Sequence, residues 1–458
     1  MRTHPALPGP ADGETRLRTF ALRNLDQLVE RYGLDDDTAH TIRVVGRVLP
    51  FKTNAYVCDE LIDWARIPDD PMFQLTFPQR GMLDRFDYDE IDALVRGGAD
   101  EDTIQAAARG IQERLNPHPS AQMHLNVPRL NGRPVPGMQH KYRDTVLFFP
   151  SQGQTCHAYC TYCFRWAQFV GTDELRFAAN EVEPLLGYLR ANPTVTEVLF
   201  TGGDPMVMRT PVLRRYVEPL LAPEFAHVTI RIGTKSLAYW PHRFLAGDDA
   251  DDALRLFEEV EAAGRHLAFM AHFTHPRELQ TDAVREAMRR ILATGAAIRT
   301  QAPLIAHVND EAAVWADMWK TQVRLGAMPY YMFVERDTGA RHYFEVPLTR
   351  ALDIYTRAFQ MVPGLARTAR GPVMSATPGK VLVDGIATVG NEPVLVCKML
   401  QARDPARANG IFFARFDECA TWFDQLEPAP GSDASWFPHF TPEPPAPSGR
   451  SFPVGSLG

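Results

Sequence analysis

Three cysteines fall within eight positions of "QTCHAYCTYCFR": Cys156, Cys160 and Cys163. Thiolates bind soft metals, and structural sites built from them usually close with four ligands. No fourth cysteine follows, and Cys58, Cys397 and Cys419 are scattered along the chain, as small buried apolar residues are. The triplet has three readings. Structural thiols by chance would require a rare residue to cluster without cause. A structural zinc would need a fourth ligand from a second short motif, and His157 inside the triplet cannot easily fold back onto the same ion. An iron–sulfur cluster on three thiolates leaves one iron open, and an open position is what a catalytic metal keeps. On that reading, the missing cysteine marks where a small molecule binds.

Other chemistry-bearing residues stand at the ends of apolar runs. "FTGGDP" (200–205) offers Gly202 and Gly203, which let backbone approach a ligand closely, and Asp204, which could meet a cationic amine. Taken alone, Gly-Gly-Asp is also ordinary turn chemistry. "GTKS", "HFTHP" and Gln301 lie at or near the ends of the next three runs.

The elements that must position them alternate in kind. Short β-rich runs occur at 145–149, 195–203, 227–234, 266–273, 296–305 and 328–334, with helical patterns such as "DALRLFEEVEAAG" and "DAVREAMRRILATG" between them. Strands alternating with helices predict βαβ units and a parallel α/β sheet, either doubly wound or a partial barrel. Ligands then gather at the C-terminal ends of the strands, where all these residues fall. Residues 1–14 read as a disordered tail and 15–135 as mainly helical, with "TRLRTFALRNLDQLVERYG" a helix stopping at Gly33. The βα repeat spans 136–345 and a C-terminal extension 346–426. The Pro-rich stretch 427–458 reads as an arm or tail, of a composition that could support a homo-oligomer.

Composition bounds the partners. A net charge of −8, with both signs mixed along the chain, excludes a basic nucleic-acid footprint. No apolar run reaches the roughly 20 residues of a membrane span. The N-terminus shows no secretory pattern, so a cytoplasmic protein is expected.

The triplet is the signature of the radical S-adenosylmethionine (SAM) superfamily, and the Gly-Gly-Asp loop one βα unit later resembles that superfamily's loop for the SAM amino group. "PVPGMQHKYRDTVLFF", "VTEVLFTGGDPMV", "VTIRIGTKSLAYWPHRF", "MAHFTHPREL", "IRTQAPLIAHVND" and "MPYYMFV" occur in the order and spacing of the lysine 2,3-aminomutase family, over roughly residues 45–390. The resemblance implies a partial (β/α)6 barrel with a 4Fe–4S cluster on Cys156, Cys160 and Cys163, SAM, and pyridoxal phosphate (PLP). It implies that an adenosyl radical, formed with an electron from an external donor, takes a hydrogen from an amino acid whose amino group moves from C2 to C3.

By the same resemblance Arg165 falls where an arginine meets the substrate carboxylate, and Lys380 where a lysine links PLP. Asp204, His272 and Gln301 fall at mouth positions near the cofactors, with Arg231 a weaker candidate. Lys141 replaces an arginine on the PLP phosphate, Thr145 replaces another basic residue, and Tyr162 replaces a histidine and could stack on adenine. Two departures matter. Before Lys380 stands only "PGK", where relatives carry a proline and four glycines. The carboxylates that grip the lysine side chain are replaced by "VERD" (Glu335, Arg336 or Asp337 in play) and by "VMSATP". A substrate other than lysine is therefore expected. The alternatives are a PLP-independent radical SAM enzyme on the same scaffold and a zinc-binding module.

Overall fold

The computed structural model describes residues 16–116, 125–170 and 177–437. The tail expected over 1–14 and residues 438–458 of the expected arm lie outside them. Two small pairs precede the main sheet: β1 (Thr19–Ala21) with β2 (Lys52–Asn54), and β3 (Arg129–Leu130) with β4 (Arg133–Pro134). The main sheet holds β5 (Met138–Tyr142), β6 (Thr145–Phe148), β7 (Glu197–Phe200), β8 (Thr229–Thr234), β9 (Leu267–His272), β10 (Ala297–Leu304), β11 (Met328–Val334), β12 (Arg370–Ser375), β13 (Gly379–Val389), β14 (Glu392–Ala402) and β15 (Ile411–Arg415), in that spatial order.

Strands β6 to β12 run parallel. The flanking β5 and β13 to β15 are antiparallel to their neighbours. The six expected strands are all present, and β12 adds a seventh to the parallel run. Its opening Gly371-Pro372 disguised it, since both residues are depleted in strands. Helices Glu183–Ala191, Thr210–Val217, Asp248–Ala262, Asp282–Ala293, Ala312–Arg324 and Leu348–Gln360 fill the six crossovers.

Local chemistry explains these elements. In Asp282–Ala293 the Thr281 side chain accepts from the Val284 N–H at the open N-terminus. That helix buries Val284, Ala287, Met288 and Ile291, spaced at i, i+3, i+4 and i+7. Residues 267–271 of β9 are buried without alternation, as in a strand covered on both faces.

The N-terminal region departs from its pattern. Residues 19–21 leave the expected helix to pair with β2, and the helix proper is Leu25–Tyr32, ended by Gly33 at φ +67°. Pairing with a strand thirty residues away overrides local helical spacing. The proline-punctuated stretch after residue 50, unassigned from sequence, becomes β2 and the helix Pro71–Thr76, whose N-terminus is capped by Asp70. At the other end, residues up to 437 pack on the C-terminal strands. Trp436 stacks on Phe412 with centroids 5.0 Å apart, and Phe437 is buried.

Candidate active site

The C-terminal ends of the parallel strands surround one cavity of about 360 Å³. Every residue singled out from the sequence for a catalytic, cofactor or metal role lines it: Cys156, Cys160, Cys163, Tyr162, Arg165, Gly202, Gly203, Asp204, His272, Gln301, Lys141 and Lys380. The cysteine loop has little regular structure of its own and is held by the N-terminal region. Lys52 Nζ donates to the Cys156 carbonyl at 2.6 Å, and Asn54 Nδ2 to the His157 carbonyl at 3.2 Å. The backbone N–H groups of Tyr159 and Thr161 donate to the Lys52 and Leu75 carbonyls. The unassigned stretch of the sequence is thus the cradle of the thiols.

All three thiols are free. Burial pushes each upward, Cys163 to about 12, so proton loss needs a compensating cation. Among the described residues no three His, Cys, Asp or Glu side chains converge as ligands of a single metal ion. The donor set therefore fits a multi-iron cluster better than one zinc. His157 is buried, bonded through Nδ1 to Ser236 Oγ at 2.9 Å, and lowered to about 3 by desolvation.

The glycines have a packing role. A Cβ on Gly203 would overlap the Thr155 backbone, and Gly202, at φ +145°, lies against the Gln154 side chain. Asp204 closes the same contact from below. Its carboxylate accepts from Met206 N, Thr234 Oγ1, Lys235 N and Ser236 Oγ at 2.7–3.0 Å. Both oxygens are engaged, so an amine at the mouth meets a loop shaped by Asp204 rather than an open carboxylate. Tyr162 likewise donates or accepts at Thr274 Oγ1 (3.0 Å) and sets its ring edge-on to Phe344, 6.4 Å between centroids.

His272 and Gln301 face each other across β9 and β10, with Gln301 Nε2 2.8 Å from His272 Nε2. Desolvation, then the charges of Lys235 and Arg165, lower His272 to about 3, so Nε2 accepts from the amide. Lys235, which also lines the cavity, donates to Glu278 Oε1 at 2.7 Å and Thr274 Oγ1 at 3.0 Å. Arg231 pairs with Glu197 at 2.7 Å, to which Thr145 also donates.

Three further cations line the cavity: Arg165, Lys141 and Lys380. Arg165 lies 4.4 Å from the Phe149 centroid and 5.1 Å from that of Phe164, and its Nη1 has no hydrogen-bond partner. Desolvation lowers it to about 10. Lys141 Nζ donates to the Ala376 carbonyl, and burial among Arg336, Arg403 and Lys380 holds it well below ordinary lysine. Lys380 is paired on both sides, to Ser375 of β12 and Gln401 of β14. Its amine sits 4.6 Å from the Tyr331 ring centroid. The side chain keeps some accessible surface because it lines the cavity, yet packed atoms desolvate the amine.

No family model matches the chain. A protein of Aquifex aeolicus described as "Putative L-lysine 2,3-aminomutase" is 34% identical over 294 residues, which cover 63% of this chain and 74% of that relative. The chain belongs to the lysine 2,3-aminomutase family. It is a diverged member of that family of radical SAM isomerases. The L-lysine 2,3-aminomutase of Bacillus subtilis is 24% identical over 433 residues, 90% of this chain and 78% of that protein. A radical SAM methyltransferase structure from Sphaerobacter thermophilus aligns at TM-score 0.37 and 16% identity over 51% of this chain and 68% of that one. That likeness is too slight to bear on function.

For this diverged member, the residues present fit a phosphate-bearing aldehyde. Lys141 and Arg403 offer cations for a phosphate, and Lys380 offers a desolvated amine. Arg403 was not anticipated. Its Nη2 donates to Asn126 Oδ1 at 2.8 Å and its Nε is buried without a partner. In sequence it sits in "QARDPAR", which carries no motif that marks a site. The β13–β14 hairpin carries it to the cavity that Thr145 also lines.

Proposed function

We propose that this chain is a radical SAM 2,3-aminomutase that uses PLP and acts on a free α-amino acid other than lysine. The observation that carries the proposal is convergence: three free thiols, an unpartnered guanidinium and a desolvated lysine amine open into one cavity. When bound, the cluster and SAM supply a 5′-deoxyadenosyl radical, and PLP supplies conjugation for the migrating nitrogen. Cys156, Cys160 and Cys163 hold the cluster, and the backbone at Gly202 and Gly203 accommodates the SAM amino group. His272 and Gln301 orient SAM and PLP from the cavity floor. Arg165 forks onto the substrate α-carboxylate, for which a planar bidentate donor is suited. Lys141 and Arg403 neutralise the PLP phosphate, and the Lys380 amine is the nucleophile toward its aldehyde.

We also infer that the parallel run curves into a partial barrel. The hydrogen bond from Lys141 on β5 to Ala376, just beyond β12, supports closure of the two ends around the cavity. Lysine is disfavoured as substrate because, among the described residues, no open pair of carboxylates faces the cavity.

The test is anaerobic reconstitution with iron and sulfide, followed by SAM, dithionite and PLP, reading 5′-deoxyadenosine and PLP retention. Deoxyadenosine formation with PLP retained by the native protein and lost in Lys380→Ala is expected. Cleavage of SAM without PLP retention would replace the proposal by PLP-independent chemistry on the same scaffold. Zinc without iron or sulfide would overturn it.

A further inference from the structure

Beyond the thiols, two arginines stand out because they share a ring and each keeps one buried guanidinium nitrogen without a hydrogen bond. Arg336 follows β11 at the mouth, with its guanidinium 5.6 Å from the Phe164 and Trp422 ring centroids. Its Nε is buried without a hydrogen bond, and Asp337 Oδ1 forms an ion pair with it at 3.7 Å. Arg165 packs on the same Phe164 ring and leaves Nη1 equally open. Aromatic packing fixes both planar forks before any ligand arrives.

We propose that Arg336 forms the distal end of the substrate pocket and that the substrate is a dicarboxylic α-amino acid. Arg165 takes the α-carboxylate and Arg336 the side-chain carboxylate; the assignment rests on the amino-acid reading above. A buried guanidinium nitrogen without an acceptor is costly, and a carboxylate that accepts from it removes that cost. The charge balance of the cavity points the same way. Among the described residues its lining holds only two carboxyl groups, Asp204 and Glu335, while Asp337 pairs with Arg336. The first is saturated by protein donors, and the second is buried beside the charge of Arg336. A distal ammonium would meet Arg336 rather than an open carboxylate, and its desolvation would go uncompensated.

The experiment measures binding of L-glutamate, L-aspartate, L-norvaline and L-lysine to the reconstituted holoenzyme by calorimetry, alongside β-amino acid formation by mass spectrometry. One or both dicarboxylates should bind best, and Arg336→Met should weaken that binding on the order of 10- to 100-fold. Arg336→Lys should restore part of it, and iron content confirms that both variants are folded. Norvaline or lysine bound more tightly than either dicarboxylate, or affinity unchanged by Arg336→Met, overturns the inference. So does a variant that loses PLP and keeps its amino-acid affinity, because Arg336 would then serve the phosphate. Turnover of norvaline with both dicarboxylates rejected sinks this inference and leaves the aminomutase reading standing. Failure of all four to bind a protein that cleaves SAM sinks both.

Discussion

Desolvation, and after it the charge of Arg231, lowers the Lys380 amine to about 7, with Glu197 opposing them. An ordinary lysine ionises near pH ~10.4, so at pH 7.5 about 0.1% of it is neutral. An amine titrating at about 7 is about 75% neutral there, a gain of several hundredfold in nucleophile. Reductive alkylation of cofactor-free protein with formaldehyde and cyanoborohydride, read peptide by peptide from pH 6 to 9, measures this directly. Modification of Lys380 should rise through a midpoint near 7 and then level off. Arg231→Met should move the midpoint up. The same shift bears on stability, with a definite sign. Between about pH 7 and ~10.4 the unfolded chain binds more protons at this residue, so stability rises with pH across that window. Below pH 7 the full penalty is present. Lys380→Met should therefore stabilise the fold most below pH 7 and not at all above ~10.4. A fully sealed amine sets a ceiling of about 5 kcal/mol; water in the cavity reduces the expected gain to roughly 2 kcal/mol. A modification profile still climbing at pH 9, or a gain independent of pH, would refute the burial argument.

Three further outcomes follow from the geometry. Replacing Cys156, Cys160 or Cys163 singly by Ala should abolish cluster assembly, read as iron and sulfide per chain, while the exposed Cys419→Ser should leave both unchanged. Asp204→Ala strands Thr234 Oγ1, Lys235 N and Ser236 Oγ in the interior and should cost roughly 3–5 kcal/mol in guanidinium unfolding. A loss below ~1 kcal/mol would show that the loop is held some other way. Gly203→Ala forces a Cβ into the Thr155 backbone and should abolish 5′-deoxyadenosine formation. Full activity in that variant would show that the cysteine and Gly-Gly-Asp loops need not pack closely.

Much of this protein is written locally. The spacing of Cys156, Cys160 and Cys163 declares a thiolate site because cysteine is rare and the motif is short. The strands β6 to β11 declare themselves by composition, and amphipathic helices such as Asp282–Ala293 by period and cap. With strands and helices alternating, chirality and chain connectivity put the ends of successive strands at one mouth, so even the company of the thiols was legible.

What tertiary structure alone decided is which of these groups are occupied. Asp204 reads as an open carboxylate until residues 234–236 arrive to saturate it. Arg403 carries no site motif in the sequence, and it reaches the cavity only because β13 and β14 pair from Gly379 with Ala402 to Val389 with Glu392. Arg336 was one of three candidates; the fold brings Glu335 and Arg336 to the cavity lining and sets Arg336 against the rings of Phe164 and Trp422. Residue type and spacing set which chemistry is available, because they act over a few bonds or one helical turn. Whether a charge has a partner depends on chain segments tens to hundreds of residues apart, and only folding brings those together.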